Sequence, residues 1–135
     1  MEIIGILIGA AAVLCLAVSA IDCNRFVVRH YEIASPKLKR PCTMVLLSDL
    51  HNKSFGKENE RLLARIDQIA PDAVLIAGDM LTAEKGKDFR NAQALTCALA
   101  KKYKLYYGMG NHEYRLKLYP KQYGPMYETY LAGLE

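Results

Sequence analysis

Three short polar clusters hold the side chains that could do chemistry: Ser48-Asp49-Leu50-His51-Asn52, Gly78-Asp79-Met80 and Gly108-Met109-Gly110-Asn111-His112-Glu113. Asp49 and His51 form D-x-H, and alternate residues leaving a strand can both point at one ion. Carboxylates, imidazole and an amide oxygen make a mixed hard and borderline donor set. That set suits divalent Mn, Fe, Zn or Mg better than a metal that prefers thiolates. Asp79, between the other two clusters, can bridge two ions. A two-metal site polarises a phosphate and activates the attacking water, which suits in-line phosphoryl displacement. Gly78, Gly108 and Gly110 leave room for ions and permit unusual backbone angles. Taken singly the clusters say little, because an aspartate after a strand is often a helix cap. The three in order, each at the end of an apolar run, make one joint pattern.

The elements between them supply the positioning. Cys42 to Ser48 is apolar without a helical period and predicts a buried strand. Lys57 to Ile69 puts Leu62, Leu63, Ile66 and Ile69 on one helical face, and Pro71 ends it. Ala73 to Ala77 predicts a second buried strand. Asp88 to Lys102 predicts a second helix, with Ala92, Leu95, Ala98 and Leu99 inward. Leu105 to Gly108 predicts a third strand. This alternation argues an α/β fold of parallel β-α-β-α-β units with right-handed crossovers. The carboxyl ends of parallel strands share one edge, where ligands bind. Asp49, His51, Asp79, Asn111 and His112 are therefore expected to converge, although the clusters stand 30 and 32 residues apart. Further on, Tyr123, Tyr127 and Tyr130 fall at helical spacing and predict a core-facing amphipathic helix.

At 135 residues and 52% apolar content the chain suits one domain, and 24% charged residues exclude bulk disorder. A net charge of +4 is well short of a dedicated nucleic-acid binder, so no nucleic-acid partner is expected. Ile3 to Ile21 carries no charge and is long enough to span a bilayer as a helix. Residues 1–21 are expected to be a single-pass membrane anchor. A signal peptide cleaved near Val18-Ser19-Ala20 is the alternative, but no Lys or Arg precedes the run. Residues 22–41 read as a basic juxtamembrane linker with five Lys or Arg against two acids. The positive-inside rule then puts the globular residues 42–135 in the cytoplasm, and the same stretch suits anionic headgroups. Cys15, Cys23, Cys42 and Cys97 include no C-x-x-C pair and are expected to be free thiols, with Cys15 and Cys42 packed as small hydrophobes.

L-S-D-L-H-N, I-A-G-D-M and G-M-G-N-H-E resemble the first three sequence blocks of the calcineurin-like metallophosphoesterases, nearest to their bacterial membrane-associated branch. The likeness covers Leu46 to Glu113. It implies the first half of an α/β sandwich, preceded here by one transmembrane helix. By that resemblance Asp49 and His51 would bind a first metal, Asp79 would bridge two metals, and Asn111 would bind the second and contact the phosphate. His112 would protonate the leaving oxygen or stabilise charge on the phosphoryl group. Glu113 would stand behind the ligands and orient His112, while Asn52 has no assigned role. The implied cofactors are two divalent ions of the Mn, Fe or Zn class. The implied substrate is a phosphate monoester, diester or pyrophosphate, and the anchor adds the expectation of a lipid-linked one.

The resemblance also implies later histidines, one alone and then a G-H-x-H block. This chain has only His30, His51 and His112. It is therefore expected to be a truncated amino-terminal portion, inactive alone, with weak metal affinity and an exposed apolar sheet face. The competing expectation is a non-catalytic, membrane-anchored binding or regulatory remnant of that fold. A nucleotide-binding α/β domain is disfavoured, because no G-x-G-x-x-G or G-x-x-x-x-G-K-[ST] follows a strand.

Overall fold

The computed structural model describes residues 2–134. They fall into two compact units that divide between Ile33 and Ala34. The first is built on α1, Glu2–Cys23, a helix with no buried side chain. Its 22 residues give a length of about 33 Å, and its most apolar window has a mean hydropathy of 2.7. Those traits make it a candidate membrane span, and a signal sequence shares them. Asn24 Nδ2 donates to the Ala20 carbonyl at 2.8 Å, occupying an acceptor left open by the last turn.

The second unit alternates as expected: β1 Met44–Leu47, α2 Glu60–Ile69, β2 Ala73–Ile76, α3 Arg90–Ala100, β3 Leu105–Tyr107, then α4 Asn111–Leu118, α5 Pro120–Tyr123 and α6 Met126–Ala132. The strands form one parallel sheet in the order β1-β2-β3. Leu62 and Ile66 of α2 are buried, as are Ala92, Leu95 and Leu99 of α3. Thr96 is buried beside them because its hydroxyl donates to the Ala92 carbonyl at 2.8 Å. Helix α2 closes on Ala70 in the left-handed conformation, φ 49°, and Pro71 prevents continuation.

Among the described residues of this unit, the sheet is covered on one face only. Leu47, Val74 and Ile76 are buried. On the other face the register aligns Leu46, Leu75 and Tyr106 in one row, where Leu46 is 65% and Tyr106 52% exposed. β1 is therefore half-covered rather than buried on both sides, and the expected open apolar face is present. Cys15, Cys23 and Cys42 are exposed free thiols and Cys97 is half-buried. The expected packing of Cys15 and Cys42 does not occur: Cys15 sits on a helix with no buried residue, and Cys42 precedes β1. The tyrosine-bearing tail also differs from one amphipathic helix. Gly124, at φ 64°, and Pro125 separate α5 from α6, since proline lacks the N–H that a continuous helix needs. Tyr123 and Tyr130 are buried on the two pieces. Gln93 of α3 donates to the Thr129 and Tyr130 carbonyls at 3.1 and 2.9 Å and pins α6.

Asp67, in the last turn of α2, accepts from Lys102 Nζ at 2.7 Å and Tyr103 Oη at 2.6 Å. Chiefly the Lys102 bond, then the Tyr103 bond, hold its carboxyl below the usual range. A depressed folded-state pKa contributes stability above the unfolded value, near 3.9, and loses it as pH falls through the folded one. Thermal unfolding against pH is expected to show a melting temperature that falls below about pH 4. Asp67→Asn should flatten that acid limb and leave the profile around neutral pH parallel to wild type.

Candidate metal centre

All three polar clusters leave the sheet at one edge. The β1–β2 pairing continues past the strands: Asp49 N–H donates to Gly78 O at 3.2 Å, His51 to Asp79 O at 3.0 Å and Asn52 to Met80 O at 2.6 Å. Asp49, His51, Asn52 and Asp79 all hold positive φ, between 48° and 62°. Left-handed backbone at such residues costs on the order of 1 kcal/mol each, and surrounding bonds must over-determine it. Part of that support comes from Asn52. Its Oδ1 accepts the Ala92 N–H at 3.0 Å, and its carbonyl accepts Asn91 Nδ2 at 3.2 Å. Asn52 thus caps the start of α3 from a distant loop, a role its position after D-x-H did not reveal.

Two glycines let the β2 and β3 loops meet. A Cβ on Gly78 would stand 2.0 Å from Gly110 N, and one on Gly110 would stand 2.3 Å from Asp79 Oδ1. At Gly108 the nearest atom would be Ile76 O at 3.4 Å, so only two of the three glycines are sterically required. Asp79 Oδ1 accepts the His112 N–H at 2.8 Å. It fills the place of an N-cap side chain for α4, which Gly110 lacks. Asp79 is therefore both a helix cap and a buried carboxylate facing the other clusters.

His51, Asp79 and His112 each bring a donor atom to one point, all within 4.8 Å of one another. The two imidazoles meet edge to face, centroids 4.8 Å apart. Asp49 lies at the rim, its Oδ1 4.0 Å from His51 Nε2, and Ser48 Oγ donates to its other oxygen. Asn111 is the exposed first residue of α4, next in chain to His112. The Asp79 carboxylate and the His51 imidazole at this spacing, with the Asp49 carboxylate at the rim, fit a divalent ion of the borderline class.

His112 Nδ1 accepts the Ala83 N–H at 2.8 Å. A neutral imidazole held in this way carries its proton on Nε2 and is a donor there. Glu113 does not hold this ring. Its carboxylate is 1% exposed and accepts instead from the backbone N–H groups of Asp79, Met80 and Gly110 at 2.9, 2.9 and 3.0 Å. Glutamate at the third helical position ordinarily reaches back to the N-cap N–H, and the two further donors come from the neighbouring loop.

Residues 43–133 match the family model of the calcineurin-like phosphoesterases. An uncharacterized metallophosphoesterase of Campylobacter jejuni subsp. jejuni serotype O:2 is 30% identical over 89 residues, covering 64% of this chain and 24% of that protein. The chain thus spans about a quarter of the length of that relative. No solved structure matches it. With the family model matched over most of the parallel α/β unit and the three polar clusters inside the match, this chain belongs to the calcineurin-like phosphoesterase family.

Proposed function

We propose that this chain supplies part of the active site of a membrane-anchored, metal-dependent phosphoesterase acting on a phosphate monoester, diester or pyrophosphate. The observation that carries the reading is the convergence of His51, Asp79 and His112 within 4.8 Å at the sheet edge. Asp49 and His51 would hold one ion, Asp79 would be shared with a second, and Asn111 would help hold the second and contact the phosphate. Two divalent ions of the Mn, Fe or Zn class, when bound, supply phosphate polarisation and an activated water. His112 holds its proton at Nε2 and, as a neutral imidazole, donates a hydrogen bond there to the charge that builds on the phosphoryl and leaving oxygens, with Ala83 keeping the ring in that tautomer. Asp79 keeps one oxygen on the α4 backbone and turns its charge to the ions. The positive stretch at 22–41 supports α1 as an anchor with the catalytic unit on the cytoplasmic side, and the anchor favours a lipid-linked phosphate. His51 and His112 are the two histidines of the second unit, the later histidine ligands of the resemblance are not among these residues, and the 135 residues alone are inactive.

The test is hydrolysis of p-nitrophenyl phosphate, its bis-ester and pyrophosphate with Mn2+. It is run on this chain, on the Campylobacter relative, and on that relative carrying residues 43–133 in place of its matching segment. The relative and the chimera are expected to turn over, and Asp79→Asn in the chimera to stop it. Turnover by the 135-residue chain would overturn its incompleteness. A folded, Mn2+-loaded chimera that is silent on all three substrates, beside an active relative, would favour the binding remnant.

A further inference from the structure

Glu113 accepts a fourth hydrogen bond, from Tyr107 Oη at 2.9 Å. Each carboxylate oxygen then has two donors: Asp79 and Gly110 N–H on Oε2, Met80 N–H and Tyr107 O–H on Oε1. Tyr107 Oη also lies 2.8 Å from Tyr130 Oη. A phenol has one proton, and the carboxylate takes that of Tyr107, so Tyr130 is the donor within the pair. Tyr130 is buried on α6, with Phe89 packed edge-on at 5.6 Å. Burial pushes the Tyr107 phenol far above its ordinary range and that of Tyr130 up to about 12. Both therefore remain hydrogen-bond donors at any working pH. The chain of contacts runs from α6, through two phenols and one carboxylate, to backbone N–H groups on two of the three ligand-bearing loops.

We propose that Tyr107 and Tyr130 are positioning residues that act through Glu113 to set the distance between the Asp79 loop and the Gly110–His112 turn, and so tune metal affinity. The effect on metal rests on the metal-centre reading above; the clamp itself does not. Removing a donor from a buried carboxylate leaves that acceptor under-satisfied, and the loops it ties gain freedom. Partners behind a ligand shell typically change metal affinity by about 10- to 100-fold.

The experiment uses the full chain in detergent micelles. Amide hydrogen exchange is read by NMR without metal, and Mn2+ binding is titrated by EPR. Tyr107→Phe is expected to speed exchange at Asp79, Met80 and Gly110 about 10-fold and to weaken Mn2+ about 10-fold, with α2 and α3 amides unchanged. Tyr130→Phe, one bond further out, should act in the same direction and less, and serves if Tyr107→Phe does not fold. Tyr103→Phe, which loses a phenol bond to Asp67 elsewhere, should move neither readout. Wild-type exchange at the three loop amides in both site variants would overturn the proposal. If wild type takes up no Mn2+, the metal-centre reading fails, and the exchange arm alone decides the clamp.

Discussion

Asp79→Asn is expected to weaken Mn2+ binding by more than about 100-fold, beyond what loss of a supporting partner typically costs, while leaving the fold nearly unchanged. The substitution keeps an oxygen where Oδ1 now accepts the His112 N–H at 2.8 Å, so the cap on α4 survives. What disappears is the buried negative charge at the meeting point of His51 and His112. A cation loses its strongest attraction there, since charge counts for more in a low-dielectric site than in water. The companion variant His112→Ala separates ligand from donor. With its Nδ1 engaged by Ala83, His112 presents a proton rather than a lone pair, and its removal should change affinity little. Titration of Mn2+ by EPR and calorimetry reads both variants. Equal losses in the two would make His112 a ligand and sink the tautomer argument.

Gly78→Ala should cause the largest loss of stability among single substitutions at the site. Gly78 sits at φ +92°, which L side chains rarely adopt, and its new Cβ would meet Gly110 N at 2.0 Å, Gly110 Cα at 2.3 Å and Met109 C at 2.8 Å. All three atoms are backbone, so no side chain can swing aside. Strain of about 1 kcal/mol and overpacking of about 1–3 kcal/mol together predict a loss of roughly 3 kcal/mol. At about 4–8 °C per kcal/mol for a unit of this size, the melting temperature should drop by more than about 10 °C. Gly86→Ala isolates the backbone part: φ is +74° but nothing lies within 4 Å, so only about 1 kcal/mol should be lost. Near-UV circular dichroism of the tyrosines during heating follows both. Similar melting temperatures for the two variants would show that the loops part freely and that their close approach is not enforced.

The three clusters, their order and their place at strand ends were legible in the residues. A 3.6-residue period in the apolar positions marks α2 and α3, apolar runs mark the strands by being short and the first helix by being long, and parallel topology brings all carboxyl ends to one edge. The helix at Glu2–Cys23 was legible for the same reason, as an uninterrupted apolar run. The break at Gly124-Pro125 went unread, because the tyrosine spacing alone predicts one continuous helix across it. Tertiary structure alone decided which atom meets which. Asn52 caps α3, Asp79 caps α4, Ala83 holds His112, and Glu113 ties two loops while Tyr107 and Tyr130 support it. It also decided that Leu46 and Tyr106 stand exposed while Val74 and Ile76 are covered. Periodicity reports which residues share a face of one element. It carries no information on partners 30 residues away, whose meeting depends on how two crossovers stack and on where glycine lets backbones touch.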